Sequence, residues 1–348
     1  MRIIPRPSGF AAALVLAGAA ALAAPAALAS AAVQPPPNVP CSATALVAAI
    51  QHANSVGTAT LLLAPGCNYV LTAAVSADDG LPPVTGNLTI SGSGGTTISR
   101  SSAMLFRIFH VAAGGSLTLS GVTLANGNTN NFGGGISDLG TLALQNVKVT
   151  GGTAAFGGGL YVAPSGHVTV SSSEFSGNDG IALGGGISDD GTLALRNVKL
   201  TGNTAGKGGG LDLGTTGHAT VSFSRLSGNF ANGGGGAVNS AGQLAVSHAV
   251  LSGNTSALNG AGLRTEGLGT SRVSGTLVAR NRARGMGGGI DNEGTTVLTG
   301  DRVVFNSAAD GGGILNEANG TVSLRFTLVA FNSPDNCTPR GTIRGCHR

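Results

Sequence analysis

Three carboxylates and a lysine are the residues best placed to do chemistry in this chain. Asp189 and Asp190 follow one glycine cluster in "LGGGISDD", and Asp212 follows the next in "KGGGLD", with Lys207 just before it. Two carboxyl groups held about 5–9.5 Å apart are the machinery of glycoside hydrolysis. The same oxygens would suit calcium, the only ion for which the residues offer ligands; no cofactor motif is present. Against an active site stands the behaviour of the column. Counted from the glycine clusters, it reads Asp138, Val162, Asp189, Leu213, Asn239, Thr265, Asn292, Asn316. A column that drifts into asparagine reads as a turn that accepts Asp or Asn.

Other chemistries find less support. His167 and His218 would lie two repeats apart, near 10 Å by strand spacing. One zinc ion with bonds of about 2 Å cannot bridge them. The "GGGISD" runs approach a calcium-binding nonapeptide but carry Ile in place of its second glycine. "ARNRARG" gathers Arg280, Arg282 and Arg284 at one turn, a basic patch that would meet an acidic polymer or simply be solvated. Sugar-binding surfaces usually offer stacking aromatics. The chain has no Trp, only Tyr69 and Tyr161, and most phenylalanines fall where core residues are expected.

The elements that must position these residues follow from a repeat. "ISDLGTLALQNVKVTGGTAAFGGGL" (136–160) and "ISDDGTLALRNVKLTGNTAGKGGGL" (187–211) agree at 19 of 25 positions, 51 residues apart. The underlying period is shorter. A hydrophobic residue followed three later by asparagine recurs at Asn178, Asn203, Asn229, Asn254, Asn281, Asn306 and Asn332, in steps of 25 to 27. Glycine clusters keep the same step. A period in this range is the mark of a solenoid. "TLALQNVKV" alternates apolar and polar residues, which is strand periodicity, and glycine interrupts every helical stripe.

A unit of about 26 residues holds three short strands and three turns. The spacing therefore predicts an all-β, single-stranded right-handed parallel β-helix of about ten rungs over 86–333. Leu142, Leu144, Val147 and Val149 should point inward, as should Leu193, Leu195, Val198 and Leu200. The asparagines should form a ladder at a turn, bonding to the rungs above and below.

Composition agrees. Glycine supplies 60 of 348 residues, yet 41% are hydrophobic and 10% charged, which is the wrong balance for disorder. The first 29 residues combine Arg2 and Arg6 with "FAAALVLAGAAALAA" and a small-residue cleavage site, the pattern of a secretory signal peptide. Without it the net charge is about +2, no nucleic-acid footprint. No second apolar run of spanning length follows, so no membrane span is expected after cleavage. Residues 30–40 form a Pro-rich linker. Residues 41–85 supply an N-terminal cap and opening strands, with a short helix begun by Ser42. Residues 334–348 form a C-terminal cap. Four cysteines sit as two end pairs; spacing leaves connectivity open, and a rod favours Cys41–Cys67 and Cys337–Cys346 over end-to-end bridges.

The paired motifs "FGGGI…FSGN" and "LGGGI…LTGN" resemble the repeats of chlamydial polymorphic outer-membrane proteins. From "CSATALVAAIQHAN…LLLAPGCNYVLT" onward, over residues 41–348, the chain also looks like secreted right-handed parallel β-helix proteins of actinobacterial type. The resemblance implies surface exposure and an adhesin-like role; autotransport and outer-membrane anchoring, which the chlamydial proteins owe to a translocator barrel, are not expected to carry over. These observations lead to an expectation of a secreted, extracellular or cell-surface, non-catalytic rod that presents a repetitive face to a polysaccharide or cell-surface polymer. A β-helix polysaccharide lyase or glycoside hydrolase, or a purely structural rod, are the alternatives.

Overall fold

The computed structural model describes residues 38–339 and 343–346. The signal-peptide segment 1–29, residues 30–37 of the Pro-rich stretch, and residues 340–342 and 347–348 of the C-terminal segment lie outside the described residues. The described chain winds into four parallel sheets of twelve, eleven, ten and six strands. Within each sheet every strand but the two at its edges pairs with its equivalents one turn before and one turn after. Thr141–Gln145, for example, lies between Ser116–Ser120 and His167–Ser171. The strand Thr192–Arg196 of the second near-identical stretch follows on the far side of His167–Ser171. The molecule is a parallel β-helix.

Ten strands of the twelve-strand sheet run from Asn87–Ser91 to Thr321–Arg325. Two more precede them, Asn38–Val39 and Thr58–Leu63, so the stack is about twelve turns high instead of ten. The extra turns escaped the repeat because a helix separates them and the asparagine and glycine markers begin later. Each central rung also holds a fourth short strand, such as Thr204–Lys207 in the six-strand sheet, beyond the three expected.

Alternation builds the core. Leu142, Leu144, Val147 and Val149 are buried, as are Leu193, Leu195, Val198 and Leu200. The asparagines from Asn178 to Asn306 lie inside the rod and not at its surface. Each donates its backbone N–H and its Nδ2 to the Oδ1 of the next, and its Nδ2 also to a carbonyl of the preceding rung. The ladder runs on through Asn332, and Gly152 joins its start by donating its N–H to Asn178 Oδ1 at 2.9 Å. The bend that turns each amide inward lies one residue earlier, at positive φ. Gly177, Gly202, Gly228 and Gly253 occupy it, then Arg280, Phe305 and Phe331.

The N-terminal end is covered by helix α1, Ala43–Val56. Ser42 accepts the Ala45 N–H at its start, and Leu46, Ile50 and Ala53 face the core. Cys41–Cys67 ties the helix to the rod, and Cys337–Cys346 closes the other end. Because the first bridge joins residues 26 apart, its loss releases a loop whose closure entropy is worth about 3.5 kcal/mol. Cys41→Ala/Cys67→Ala is expected to lower stability by that amount, with hydrogen-exchange protection lost in α1 and the first two rungs. Unchanged protection there would show that packing alone holds the cap.

Candidate binding trench

The ten-strand sheet builds the one face of the rod where chemistry collects. Its strands are mostly three residues long, with the first and third positions packed inward, as at Leu160 and Val162. The middle residue therefore points outward. In register, this middle column runs His110, Ser137, Tyr161, Ser188, Asp212, Asn239, Arg264, Asp291 and Leu315. An outward column should be exposed, yet Tyr161, Ser188, Asp212, Asn239 and Asp291 are all buried. Two flanking columns cover them and turn the column into the floor of a trench.

The first wall precedes the glycine clusters: Phe132, Phe156, Leu183, Lys207, Gly234, Asn259, Met286 and Asp310. It stands against the floor because the first glycine of each cluster bends sharply. Gly208 has φ +63, and a Cβ there would lie 2.5 Å from the Leu211 carbonyl oxygen. Only glycine fits. The second wall is the residue after each strand and includes Asp190, Gly214, Glu266, Glu293 and Glu317.

Side chains join walls to floor. At one end Phe132 stacks on Phe156, centroids 5.2 Å apart, and meets Tyr161 at 4.5 Å. The Tyr161 hydroxyl donates to Asp190 Oδ2 at 3.0 Å. The other Asp190 oxygen lies over Gly214 of the next rung, 2.0 Å from where a Cβ would stand, so a larger residue there would push the Asp190 carboxyl aside. Asp212 accepts from Asn239 Nδ2 at 2.9 Å. Lys207 and Glu266 form an ion pair at 2.7 Å that crosses from wall to wall at the rung of Asn239. Arg264 bonds the Gly233 carbonyl on one wall, pairs with Glu293 on the other, and lies 3.4 Å from Asp291. The aromatic end is followed by His110, 3.4 Å from Asp79, which also pairs with Arg107.

Burial dominates the electrostatics. It lifts Asp212 to about 7, with Glu266 and Asp190 adding to the rise and Asn239 and Lys207 opposing it. It lifts Asp291 to about 7 against the pull of Arg264. Tyr161 is raised by burial and by its bond to Asp190. Seven of the chain's fifteen acids (Asp190, Asp212, Glu266, Asp291, Glu293, Asp310, Glu317) line this trench, against Lys207 and Arg264.

The expected acidic cluster is only partly assembled. Asp190 and Asp212 share the trench, but Asp189 is the third residue of its strand and points into the rod. There it accepts the Gly191 N–H at 3.0 Å, and burial raises it to about 7. Asp138, in the same column, is likewise interior and raised to about 6. The three carboxylates therefore do not meet on one face of the strand column. The column expected from the sequence also slips by one: Ser240, not Asn239, pairs with Leu213 and Thr265, and Asn239 belongs with Asp212. "NGGGGAV" carries four glycines where most clusters carry three, and that shifted the count.

The phenylalanines were also misplaced. Phe106, Phe109 and Phe175 are core, but Phe132, Phe223, Phe305, Phe326 and Phe331 are exposed. The overlooked sign of the stack was Phe directly before the glycine cluster in "NFGGGI" and "AFGGGL". Arg280, Arg282 and Arg284 are exposed, outside the trench; Arg282 starts the last strand of the six-strand sheet.

No family model and no curated protein matches this chain. Among solved structures it is similar to the A-module of the Azotobacter vinelandii mannuronan C-5 epimerase AlgE6, with 15% identity, 85% of this chain and 93% of that one covered, and a TM-score of 0.45. It is similar to the Dettilon tailspike protein, with 13% identity, 82% and 63% covered, and a TM-score of 0.47. The A-module of the epimerase AlgE4 follows at 14% identity, 83% and 91% covered, and a TM-score of 0.41.

Proposed function

We propose that the protein is an exported rod that binds an extended, neutral or amine-bearing polysaccharide along the trench. One observation carries this reading. An outward column of polar side chains is flanked by two walls over many rungs, and the Phe132–Phe156–Tyr161 stack, with Phe132 exposed, stands at one end of it. Sugar rings present apolar C–H faces to aromatic rings and hydroxyl groups to carboxylates and amides, and the trench supplies both partners in line. The excess of acids favours hydroxyl and ammonium donors over uronates. The two disulfides fit an oxidising compartment. Among the described residues no helix is long and apolar enough to cross a membrane.

Affinity gel electrophoresis in soluble xylan, β-glucan, glycol chitosan and polygalacturonate tests the reading. Retardation is expected in one or more of the first three and not in polygalacturonate. Phe132→Ala/Phe156→Ala should weaken binding about tenfold, which corresponds to about 1.4 kcal/mol. Retardation in polygalacturonate alone, abolished by Arg282→Ala/Arg284→Ala, would move the binding face to the arginine patch.

A further inference from the structure

Two carboxyl groups in the trench sit on adjacent rungs in unlike settings. Asp212 is on the floor, 3% exposed, with one oxygen held by Asn239. Asp190 is on the wall, partly exposed, held between the Tyr161 hydroxyl and the bare backbone of Gly214. The register offsets them by one rung and two residues, so their α-carbons lie about 8 Å apart by strand geometry. Asp190 is near enough to act electrostatically on Asp212, and α-carbons at this spacing let two carboxyl groups face each other across the roughly 5–9.5 Å at which such pairs hydrolyse glycosides.

A further feature points to a ligand at the same place. Asn239 is 2% exposed; its Nδ2 is committed to Asp212, and its Oδ1 has no hydrogen-bond partner. A buried amide oxygen left unpaired calls for a donor. It lies on the trench floor next to Asp212, at the rung that the Lys207–Glu266 pair crosses. A sugar hydroxyl entering there would supply that donor and displace the ion pair.

We propose that the trench hydrolyses a glycosidic bond of the polysaccharide it binds, with Asp212 as general acid and Asp190 as the base that activates water. The inference rests on the binding reading above and replaces the expectation of a purely binding surface. Asp212 gives its proton to the glycosidic oxygen as the bond from the anomeric carbon to that oxygen breaks. A water molecule forms the new bond to the anomeric carbon, and Asp190 takes the proton that water releases. The products are a new reducing end and a free hydroxyl; exchange of protons with solvent restores both carboxyls. Burial suits Asp212 to its part, since a carboxyl lifted to about 7 still carries its proton in mildly acidic solution. Glu266 and Asp190 reinforce that rise, and Lys207 and Asn239 limit it.

The test uses the full chain and whichever of xylan, β-glucan or glycol chitosan retards it in the gel, and follows release of reducing ends. The wild type should release them at a rate that falls as pH rises through about 7. Asp212→Asn and Asp190→Asn should each lower that rate about 10²–10⁴-fold while Kd changes less than about threefold. Arg282→Ala should leave both unchanged. If Asp212→Asn fails to fold, the partly exposed Asp190→Asn carries the comparison. Binding by the wild type without product release would overturn this inference and leave the binding reading standing. Absence of binding to every polymer would overturn both. Product release that survives in both variants would overturn the assignment of Asp212 and Asp190.

Discussion

Asn254→Ala is expected to cost about 3–6 kcal/mol, a large part of the stability of a typical domain. Asn254 is fully buried at the centre of the ladder. Its Oδ1 accepts the Asn229 N–H at 3.0 Å and Asn229 Nδ2 at 2.9 Å. Its Nδ2 donates to the Leu226 carbonyl at 3.0 Å and to Asn281 Oδ1 at 2.9 Å. Alanine would strand two donors of Asn229 and remove a donor from Leu226, in a place water cannot reach. Each orphaned buried group costs about 1–3 kcal/mol.

In a stack where each rung touches only its neighbours, that loss should be local first. Urea titration followed by circular dichroism should give the total. Hydrogen exchange should show protection falling between about residues 229 and 281 before the ends are affected. Asn254→Asp separates shape from hydrogen bonding. It keeps the acceptor for Asn229 but loses the donor to Leu226, so it should be nearly as harmful at pH 7. A loss below about 1 kcal/mol in the alanine variant would mean that the ladder adds little to stability.

The second large effect has the opposite sign. Asp189→Asn should stabilise the protein at pH 8 by about 2–4 kcal/mol and leave it nearly unchanged at pH 4. In the folded rod Asp189 titrates near 7, against 3.8 for an unperturbed side chain, because burial penalises its charge. Between those values the folded chain keeps a proton that the unfolded chain has released. Stability therefore falls as pH rises from about 4 to about 7 and stays low above that. Three pH units correspond to about 4 kcal/mol. The amide removes the titration altogether.

The fold already shows that asparagine fits. Asn292, in the same column, donates its Nδ2 to the Gly294 carbonyl and accepts from Thr296. Asp189 meets Gly191 at the corresponding two-residue step. Urea midpoints of both proteins from pH 4 to pH 8 provide the check. Parallel curves would show that Asp189 is already compensated. Asp138 shares the column and the direction of shift, so part of the acid-to-neutral slope should persist in Asp189→Asn.

Much of this architecture is legible in the order of residues alone, and the reason is translation. In a stacked rod, residues about 26 apart in sequence are neighbours in space, so a pattern that recurs along the chain is a list of contacts. The asparagine spacing is the ladder. The alternation in "TLALQNVKV" is the pair of inner faces, and Leu142, Leu144, Val147 and Val149 lie where it puts them. Ser42 begins the capping helix, and the cysteines pair within each end.

The trench was not legible in the same way. Asp189 and Asp212 look alike in sequence, each closely following a glycine triplet, but they differ by one place within a three-residue strand. With a period of two, one place is the difference between the inside of the rod and its outer face. The extra glycine in "NGGGGAV" is enough to misalign the count and to hide that Asn239 serves Asp212. Phe132 and Phe156 differ in sequence from buried Phe175 only by the glycine cluster that follows directly, and the bend there sends them outward to stack. Sequence by itself determined the repeat, its strands and its polar ladder, because those depend on residue type and spacing along one axis. Tertiary structure decided which carboxylates meet, because that depends on the face each strand presents and on how far the glycine bend brings one wall over the next column.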